Sequence, residues 1–389
     1  MNILTKVEKN SLMEMGCKKS AVDENWKKYL SSSNSKKLVV ALDNDDKSRI
    51  LLDVVENNIE LFIKGLQDTI ETLDIQETFV LVPTEKKNIY NKLPEKAKGM
   101  EISIVHSDFA DPIYYKGAIF HNPATIVDIG KIADEKYSNE TYISVEKDGE
   151  AESIRSVAFG TSFSEIIDTS KDDIKAIKIG NHLYSSDILE TDITPYMPLG
   201  DHVVRVLKKD TCIVTLVQDQ LKEYMKTSCG KCTFCREGLL LLHSYASEIT
   251  QNKGKIENID FLKEIAETME GSSLCSVGLQ GGKLTLDSIS LFEQEYKDHI
   301  KKKKCDAGVC TSFISIYIDP DDCTGCMDCV DVCPVDCIDG KSNYIHMIDE
   351  FDCIKCGKCI DACEEDAIIK TEGKVPKLPR RLTKVGKFK

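Results

Sequence analysis

The sequence predicts a multidomain protein that combines α/β and α+β architecture. Three observations predict it. Residues 37–115 alternate short apolar strands with helical patterning, and residues 200–304 carry four successive helical patterns. The third is the distribution of the 17 cysteines, of which all but Cys17 and Cys212 lie at or beyond Cys229, mostly at regular spacing. The two halves of the chain therefore have different chemistry.

Composition narrows the class of function. A hydrophobic content of 41% is typical of globular proteins. The net charge of −14 argues against nucleic acid as the main partner. No apolar run reaches the roughly 18 residues of a membrane span, and the first 16 residues lack a signal-like apolar core. We therefore predict a cytoplasmic protein, in which dense cysteine indicates metal binding rather than disulfides.

The first two predicted regions precede most of the cysteines. An N-terminal segment, 1–36, ends in a polar run, and 37–115 forms a small parallel α/β unit because strands alternate with helices. The predicted elements of that unit are strands 37–42, 78–82 and 102–105 and one long helix, 49–73.

The next two predicted regions change character at about residue 116. Residues 116–199 predict a β-grasp-like module, in which two strands meet near Gly149 and a short helix, 162–167, has Thr161 as its N-cap. Residues 200–304 predict an antiparallel four-helix bundle. Its predicted helices are 202–226, 237–252, 258–269 and 282–303.

Residues 305–372 contain the one internal repeat. The run C-T-G-C-M-D-C-V-D-V-C-P recurs as C-I-K-C-G-K-C-I-D-A-C-E, with Glu364 where proline is usual. Two C-x2-C-x2-C-x3-C runs are the spacing of a bacterial 2[4Fe–4S] ferredoxin module, in which the last cysteine of each run ligates the other cluster. Zinc ribbons do not explain such runs. The predicted ligand sets are Cys323, Cys326, Cys329 and Cys363 for one cluster, and Cys353, Cys356, Cys359 and Cys333 for the other.

A third cysteine motif lies in the predicted bundle. S-C-G-K-C-T-F-C-R-E-G places Cys229, Cys232 and Cys235 at every third residue, and Cys275 follows two predicted helices later. The bundle could return Cys275 to complete a third [4Fe–4S] site, with a structural zinc as the alternative.

These motifs carry a resemblance. S-C-G-x-C-T-x-C-R-E-G followed by L-C-x-x-G resembles the NADH-binding subunit of respiratory complex I and the corresponding subunits of electron-bifurcating hydrogenases and formate dehydrogenases. The β-rich module resembles that family's SLBB domain, which the segment from Asn122 would enter. The ferredoxin module that follows is similar to the bifurcating enzymes. The resemblance implies a reduced Rossmann-like α/β domain ahead of these parts.

The family's FMN and NADH loops are degenerate here. Gly16-Cys17-Lys18-Lys19 stands in the place of the glycine-rich loop, and Asp43-Asn44-Asp45-Asp46-Lys47 in that of the acidic loop. Trp26 answers the family's tryptophan, and a third segment is missing between His106 and Phe120. We therefore predict a vestigial domain without FMN, with an altered flavin or nucleotide site as the alternative.

Five cysteines remain. Cys212 lies in an apolar run and is predicted to be a buried core thiol, and Cys17 to be incidental. Cys305 and Cys310 flank a glycine turn in C-D-A-G-V-C, similar to a segment of bifurcating hydrogenases. We predict a structural zinc there, with His346, His299 and Cys337 as candidate further ligands. Spare thiols and a labile iron site are the alternatives.

Function follows from these assignments. We predict no catalytic residue and a subunit that relays single electrons among three [4Fe–4S] clusters within an anaerobic oxidoreductase complex. Its predicted partners are subunits of a hydrogenase, formate dehydrogenase or similar low-potential enzyme, and soluble ferredoxin. The basic tail, 373–389, is a solvated end or a docking arm. The alternatives are an NADH- or flavin-binding diaphorase subunit and an interaction scaffold in which clusters act as folding staples.

Overall fold

The computed structural model describes residues 2–17, 19–32, 35–86, 101–372 and 374–388. They divide into two compact units. One is drawn from Met1–Thr211, Leu216–Ser244 and Ile259–Glu293, and the other from Cys212–Thr215, Tyr245–Asn258 and Gln294–Lys389. The outer ends of the predicted basic tail, Gly373 and Lys389, lie outside the described residues.

The first unit begins with a four-stranded parallel sheet, as the alternation of strands and helices predicts. Its order is β3-β2-β1-β4, and every pairing is parallel. The strands are β1 (Lys37–Val40), β2 (Glu77–Val82), β3 (Ile102–His106) and β4 (Ile119–His121). Their order reverses at β1 and β4, where open parallel sheets commonly form a ligand crevice beyond the carboxyl ends of the strands.

Two helices pack together against this sheet through glycines. A Cβ at Gly130 of helix Pro123–Ala133 would lie 1.9 Å from the Leu61 carbonyl oxygen of helix Ile59–Leu73. A Cβ at Gly65 would lie 1.9 Å from the Ile126 carbonyl oxygen. Each helix thus approaches the other's backbone directly, and only glycine permits this distance.

The prediction of one long helix over 49–73 is wrong. Asn58 leaves helical geometry (φ −132°, ψ 37°) and divides the segment into helices Leu51–Asn57 and Ile59–Leu73. The N-terminal segment contains helices Ile3–Lys9 and Val22–Ser32. The second of these places Trp26 in the core, fully buried.

A second, mixed sheet follows in the same unit. Its order is β6-β5-β10-β8-β9, with β7 pairing β5. The strands are β5 (Glu140–Lys147), β6 (Glu150–Ala151), β7 (Arg155–Ala158), β8 (Ile174–Ile179), β9 (His182–Tyr184) and β10 (Val203–Lys208). The short helix Phe163–Ile166 is capped by Ser162, not Thr161, and the Ser162 N–H donates to Glu165 at 3.0 Å.

Strand β10 also corrects the predicted helix 202–226. Its first part is a strand parallel to β5 and antiparallel to β8. The four predicted helices are present with shifted limits, as Ile213–Thr227, Thr233–Thr250, Glu257–Ser272 and Ser276–Lys297, followed by a π-helical turn, Asp298–Lys302. Within the first unit the last two pack closely, since a Cβ at Gly282 would lie 2.6 Å from the Ala266 carbonyl oxygen.

The ferredoxin-like region lies in the second unit and repeats one small pattern. Strands β11 (Ser315–Ile318) and β15 (Ile368–Thr371) pair antiparallel. One short helix follows each cysteine loop, Asp328–Asp331 and Lys358–Asp361. The remaining pairs are β12 (Ile338–Asp339) with β14 (Met347–Ile348), and β13 (Tyr344–Ile345) with β16 (Thr383–Lys384). Across the described residues, no helix has the length and apolar character to cross a membrane.

Candidate iron–sulfur and metal sites

The first ferredoxin-like cavity combines three cysteines of the first run with the last cysteine of the second run. It is lined by Cys323, Cys326, Cys329, Cys363 and His346, among others. Burial, followed by the charges of the neighbouring thiolates, raises the pKa of Cys329 to about 12. Such mutual repulsion is what a bound iron cluster would offset, so this cavity fits the predicted cluster. His346 Nδ1 lies 3.1 Å from the Cys329 Sγ.

The second ferredoxin-like cavity contains the cysteines predicted to bind the other cluster. It is lined by Cys333, Cys353, Cys356 and Cys359, together with Cys337. The Cys337 N–H donates to the Cys333 Sγ at 3.4 Å, and the Lys355 N–H donates to the Cys353 Sγ at 3.4 Å. Backbone N–H groups directed at sulfur stabilise thiolates and tune bound clusters, so this set also fits. Cys337 lies among these thiols, and burial raises its pKa to about 12.

The four bundle cysteines all belong to the first unit. Cys235 lies in the first turn of helix Thr233–Thr250, and Cys275 directly precedes helix Ser276–Lys297. Burial, followed by the charges of Cys235 and Cys229, raises the pKa of Cys275 to about 11. Burial and the charges of Cys232 and Cys229 also raise the pKa of Cys235. Gly230 takes a left-handed conformation (φ 71°), which turns the loop between Cys229 and Cys232. This electrostatic coupling of the bundle cysteines is compatible with the predicted third cluster.

A fourth group brings together Cys212, His299, Cys305 and Cys310 in the second unit. All four are buried, and one ligand atom from each lies within 4.8 Å of the others. The Cys212 Sγ lies 3.4 Å from the His299 Nε2 and 3.7 Å from the Cys310 Sγ. Three thiols and one imidazole are a donor set typical of structural zinc.

The electrostatics of this group also suit a cation. The His299 Nδ1–H donates to the Glu295 carbonyl at 2.8 Å, which leaves Nε2 available as a ligand. Burial alone would lower the pKa of His299, but hydrogen bonds with Cys212 and Cys305 raise it to about 10. Hydrogen bonds from Cys212 and Cys310 hold the pKa of the Cys305 thiol far below its usual range.

The predicted zinc ligands are only partly brought together. Cys305 and Cys310 lie at one site, and Gly308 (φ +65°) allows the tight turn between them. His346 and Cys337 line the ferredoxin-like cavities instead. Cys212 is buried as predicted, yet it belongs to this group and not only to an apolar core. The Cys212 and Cys310 positions are 98 residues apart, and local sequence spacing carries no signal for that.

The α/β domain of the first unit contains a cavity of about 730 Å³. It opens beyond the carboxyl ends of β1 and β4 and is also lined by Cys17, Lys19 and Cys275. This volume lies within the range of small-molecule sites. The predicted vestigial domain therefore retains a ligand-sized cavity beside a bundle cysteine.

A buried hydrogen-bond chain lines that cavity. Trp26 Nε1–H donates to the His121 Nε2 at 2.8 Å, so His121 carries its proton on Nδ1 and donates to Glu14 at 2.6 Å. Glu14 also accepts the Asn122 N–H at 2.7 Å. Because each polar group has a partner, the wall behind the cavity is rigidly held.

Two family models match the iron–sulfur regions. Residues 215–299 match the NADH-ubiquinone oxidoreductase-F iron-sulfur binding region, and residues 322–368 match a 4Fe-4S dicluster domain. Over 148 residues the chain is 40% identical to NADP-reducing hydrogenase subunit HndC of Solidesulfovibrio fructosivorans. Over 107 residues it is 34% identical to the F subunit of the NADH-quinone oxidoreductase of Streptomyces coelicolor. Over these segments the chain is similar to oxidoreductase subunits. The predicted resemblance is therefore confirmed.

The extent of the homology is limited. The match to HndC covers 38% of this chain and 30% of HndC, and the match to the Streptomyces protein covers 28% of this chain and 24% of that protein. A chain of the NAD+-reducing [NiFe]-hydrogenase in its H2-reduced state shares the fold with a TM-score of 0.63. That likeness covers 77% of this chain and 62% of the other at 15% identity. The family models thus cover the iron–sulfur regions, and the shared fold covers a larger part of the chain.

Proposed function

We propose that the chain is an electron-transfer subunit of a cytoplasmic, anaerobic oxidoreductase complex, and that it relays single electrons among three [4Fe–4S] clusters. The observation that carries the proposal is that two cavities are each lined by four of the predicted ligand cysteines, within a region that matches a 4Fe-4S dicluster domain. The electrostatic coupling of the bundle cysteines, in the other matched iron–sulfur region, supports the third cluster. Each bound cluster would supply one-electron chemistry. The proposed ligands are those predicted: Cys323, Cys326, Cys329 and Cys363; Cys333, Cys353, Cys356 and Cys359; and Cys229, Cys232, Cys235 and Cys275.

The protein's own part would be to fix the potentials. Backbone N–H groups donate to Cys333 and Cys353, and the imidazole of His346 lies against Cys329. Hydrogen bonds to sulfur and burial are the means by which a protein tunes such clusters. The relatives are named as subunits of a hydrogenase and of NADH-quinone oxidoreductase, so we propose that the partners belong to an enzyme of that class. An electron-bifurcating hydrogenase or formate dehydrogenase is the proposed setting. The second sheet, β5 to β10, would be the SLBB-like module. The predicted module 116–199 begins too early, because β4 and helix Pro123–Ala133 belong to the α/β domain.

We further propose that Cys212, His299, Cys305 and Cys310 hold a structural zinc. The tautomer of His299 and the depressed pKa of Cys305 support it. The site would tie the start of the first bundle helix to the segment before the ferredoxin-like region. This role differs from the electron path because zinc has no redox chemistry.

A redox titration distinguishes an electron-transfer subunit from a scaffold in which the clusters only stabilise the fold. The anaerobically purified chain should show three clusters that reduce reversibly, followed by absorbance and electron paramagnetic resonance. Clusters that serve only as staples need not reduce in the working range. The absence of any reversible reduction would contradict the electron-transfer proposal.

The cavity of about 730 Å³ favours one second candidate, a flavin- or nucleotide-binding diaphorase subunit. We propose that the chain binds no flavin of its own, because the glycine-rich and acidic loops that hold FMN in the family are degenerate. Iron and FMN measured together in the chain purified with its partners decide between them. About twelve irons and no FMN assignable to this chain would support the electron-transfer subunit without flavin. One FMN bound to this chain would support the diaphorase.

A further inference from the structure

Beside the cavity of the α/β domain, three side chains form a cluster that the electron-transfer proposal does not use. One ligand atom from each of Cys17, Asp43 and Asp45 lies within 4.8 Å of the others. The sequence predicts that Cys17 is incidental. The structure instead places its thiol against two carboxylates, and all three belong to the first unit.

The local backbone is built for this approach. Gly16 has φ +104°, and a Cβ there would lie 2.2 Å from the Asp43 Oδ2. Glycine therefore lets the turn lie directly on Asp43, and the Cys17 N–H donates to the Asp43 Oδ2 at 2.6 Å. Asp45 is held from two sides, since Asn181 Nδ2 donates to its Oδ2 at 2.5 Å and its own N–H donates to Ser276.

Two buried oxygens point to a missing ligand. The Asp45 Oδ1 is buried and has no hydrogen-bond partner among the described residues. The same is true of the Oε1 of Gln280, whose side chain is itself hydrogen-bonded to Cys17. Gln280 is only 6% exposed. Buried polar atoms are rarely left unpaired, and an unpaired carboxylate oxygen is particularly costly.

The surroundings add negative charge. Glu14 acts on Asp43 and Asp201 acts on Asp45, each opposing ionisation. Lys19 faces Asp43 and Lys178 faces Asp45, so each of these two carboxylates has one lysine and one further carboxylate in its neighbourhood. A divalent cation would offset the two carboxylates and give both orphan oxygens a partner.

We propose that Cys17, Asp43, Asp45 and Gln280 form a binding site for a divalent transition-metal ion of the zinc type. One sulfur and three oxygens suit a borderline ion such as Zn²⁺ better than Mg²⁺ or Ca²⁺, which take oxygen ligands alone. Cys17 and Asp43 also line the cavity, so the ion has an entry path and an open position for water or a ligand. The proposal does not depend on the electron-transfer function.

Zinc stoichiometry tests the site. The full chain, anaerobically purified with its clusters and equilibrated with Zn²⁺, should lose one zinc per chain upon Cys17→Ser, as also upon Asp43→Asn. Cys305→Ser should remove a different equivalent, so the two zinc proposals fail separately. The matched control is Asp46→Asn, which changes the neighbouring buried carboxylate outside the group and should leave zinc content unchanged. Equal zinc in the wild type and both variants would overturn the site.

A second measurement uses the unmodified protein and does not depend on the folding of a variant. Zinc should protect Cys17 from alkylation by iodoacetamide, quantified by peptide mass spectrometry. At a zinc concentration ten times the dissociation constant, protection should be about tenfold by mass action. An alkylation rate at Cys17 that zinc does not change would overturn the proposal.

Discussion

The close approach of Gly65 and Gly130 predicts how much stability the protein loses when a side chain is added there. In Gly130→Ala the new Cβ would lie 1.9 Å from the Leu61 carbonyl oxygen, where ordinary contact begins at 3.4 Å. The two helices must therefore separate by about 1.5 Å across a densely packed core. Insertion of a methyl group into such a core costs about 1–3 kcal/mol, and this backbone contact places the variant at the upper end.

Trp26 is the assay. It is the only tryptophan, and it is fully buried in the same core. Its fluorescence therefore reports urea unfolding of this domain apart from the rest of the chain. With a urea dependence of about 2 kcal/mol per molar, a cost of about 3 kcal/mol should lower the midpoint of Gly130→Ala by about 1.5 M.

Gly271→Ala is the matched control. Gly271 lies in helix Glu257–Ser272, and a Cβ there meets no atom within 4 Å. Alanine favours a helix over glycine by about 0.5–1 kcal/mol, so this variant should not lower the Trp26 midpoint. If Gly130→Ala unfolded at the same urea concentration as the wild type, the close packing of the two helices, on which the predicted loss of stability depends, would be refuted.

Three further predictions address the sites and the core. Cys363→Ala should remove about four irons per chain from the cavity lined mainly by the first cysteine run, as measured by iron analysis. An unchanged iron content would contradict the prediction that the last cysteine of the second run ligates the cluster of the first. Cys212→Ser should weaken zinc binding about 100-fold or more, measured by chelator competition, because even outer-shell changes cost 10–100-fold; unchanged affinity would exclude Cys212 as a ligand. Burial raises the pKa of Asp128 to about 6, so its protonated form is favoured by folding. The free energy of unfolding of the wild type, relative to Asp128→Asn, should fall by about 2 kcal/mol as the pH rises from about 4 to about 6. A constant difference between their urea midpoints would show that Asp128 does not titrate there.

Local patterns in the sequence predicted most of the architecture. Short apolar runs predicted β1, β2 and β3, and the cysteine spacing predicted which thiols share each ferredoxin-like cavity. Strand β10 was missed because its apolar residues continue into the pattern of the following helix. What makes it a strand is its pairing with β5 and β8, which is a tertiary interaction.

The two additional groups of candidate metal ligands show the same limit. Cys305 and Cys310 were recognisable as a pair, but their partner Cys212 is far away in sequence and was predicted to be only a core thiol. Cys17 likewise gave no signal, because its significance depends on the Gly16 turn that presses against Asp43. Spacing identifies ligands that share a loop, while ligands from different elements become visible only when the fold is known.

The long separation between Cys212 and Cys310 has a consequence for biogenesis. All four bundle helices lie between these two cysteines, so the metal group cannot be completed until the whole helical segment has been synthesised. A cross-link that closes a loop of about 100 residues removes about 4–5 kcal/mol of chain entropy from the unfolded state. Metal capture would therefore act as a late checkpoint in maturation, because it rewards only a chain whose helical region is already complete.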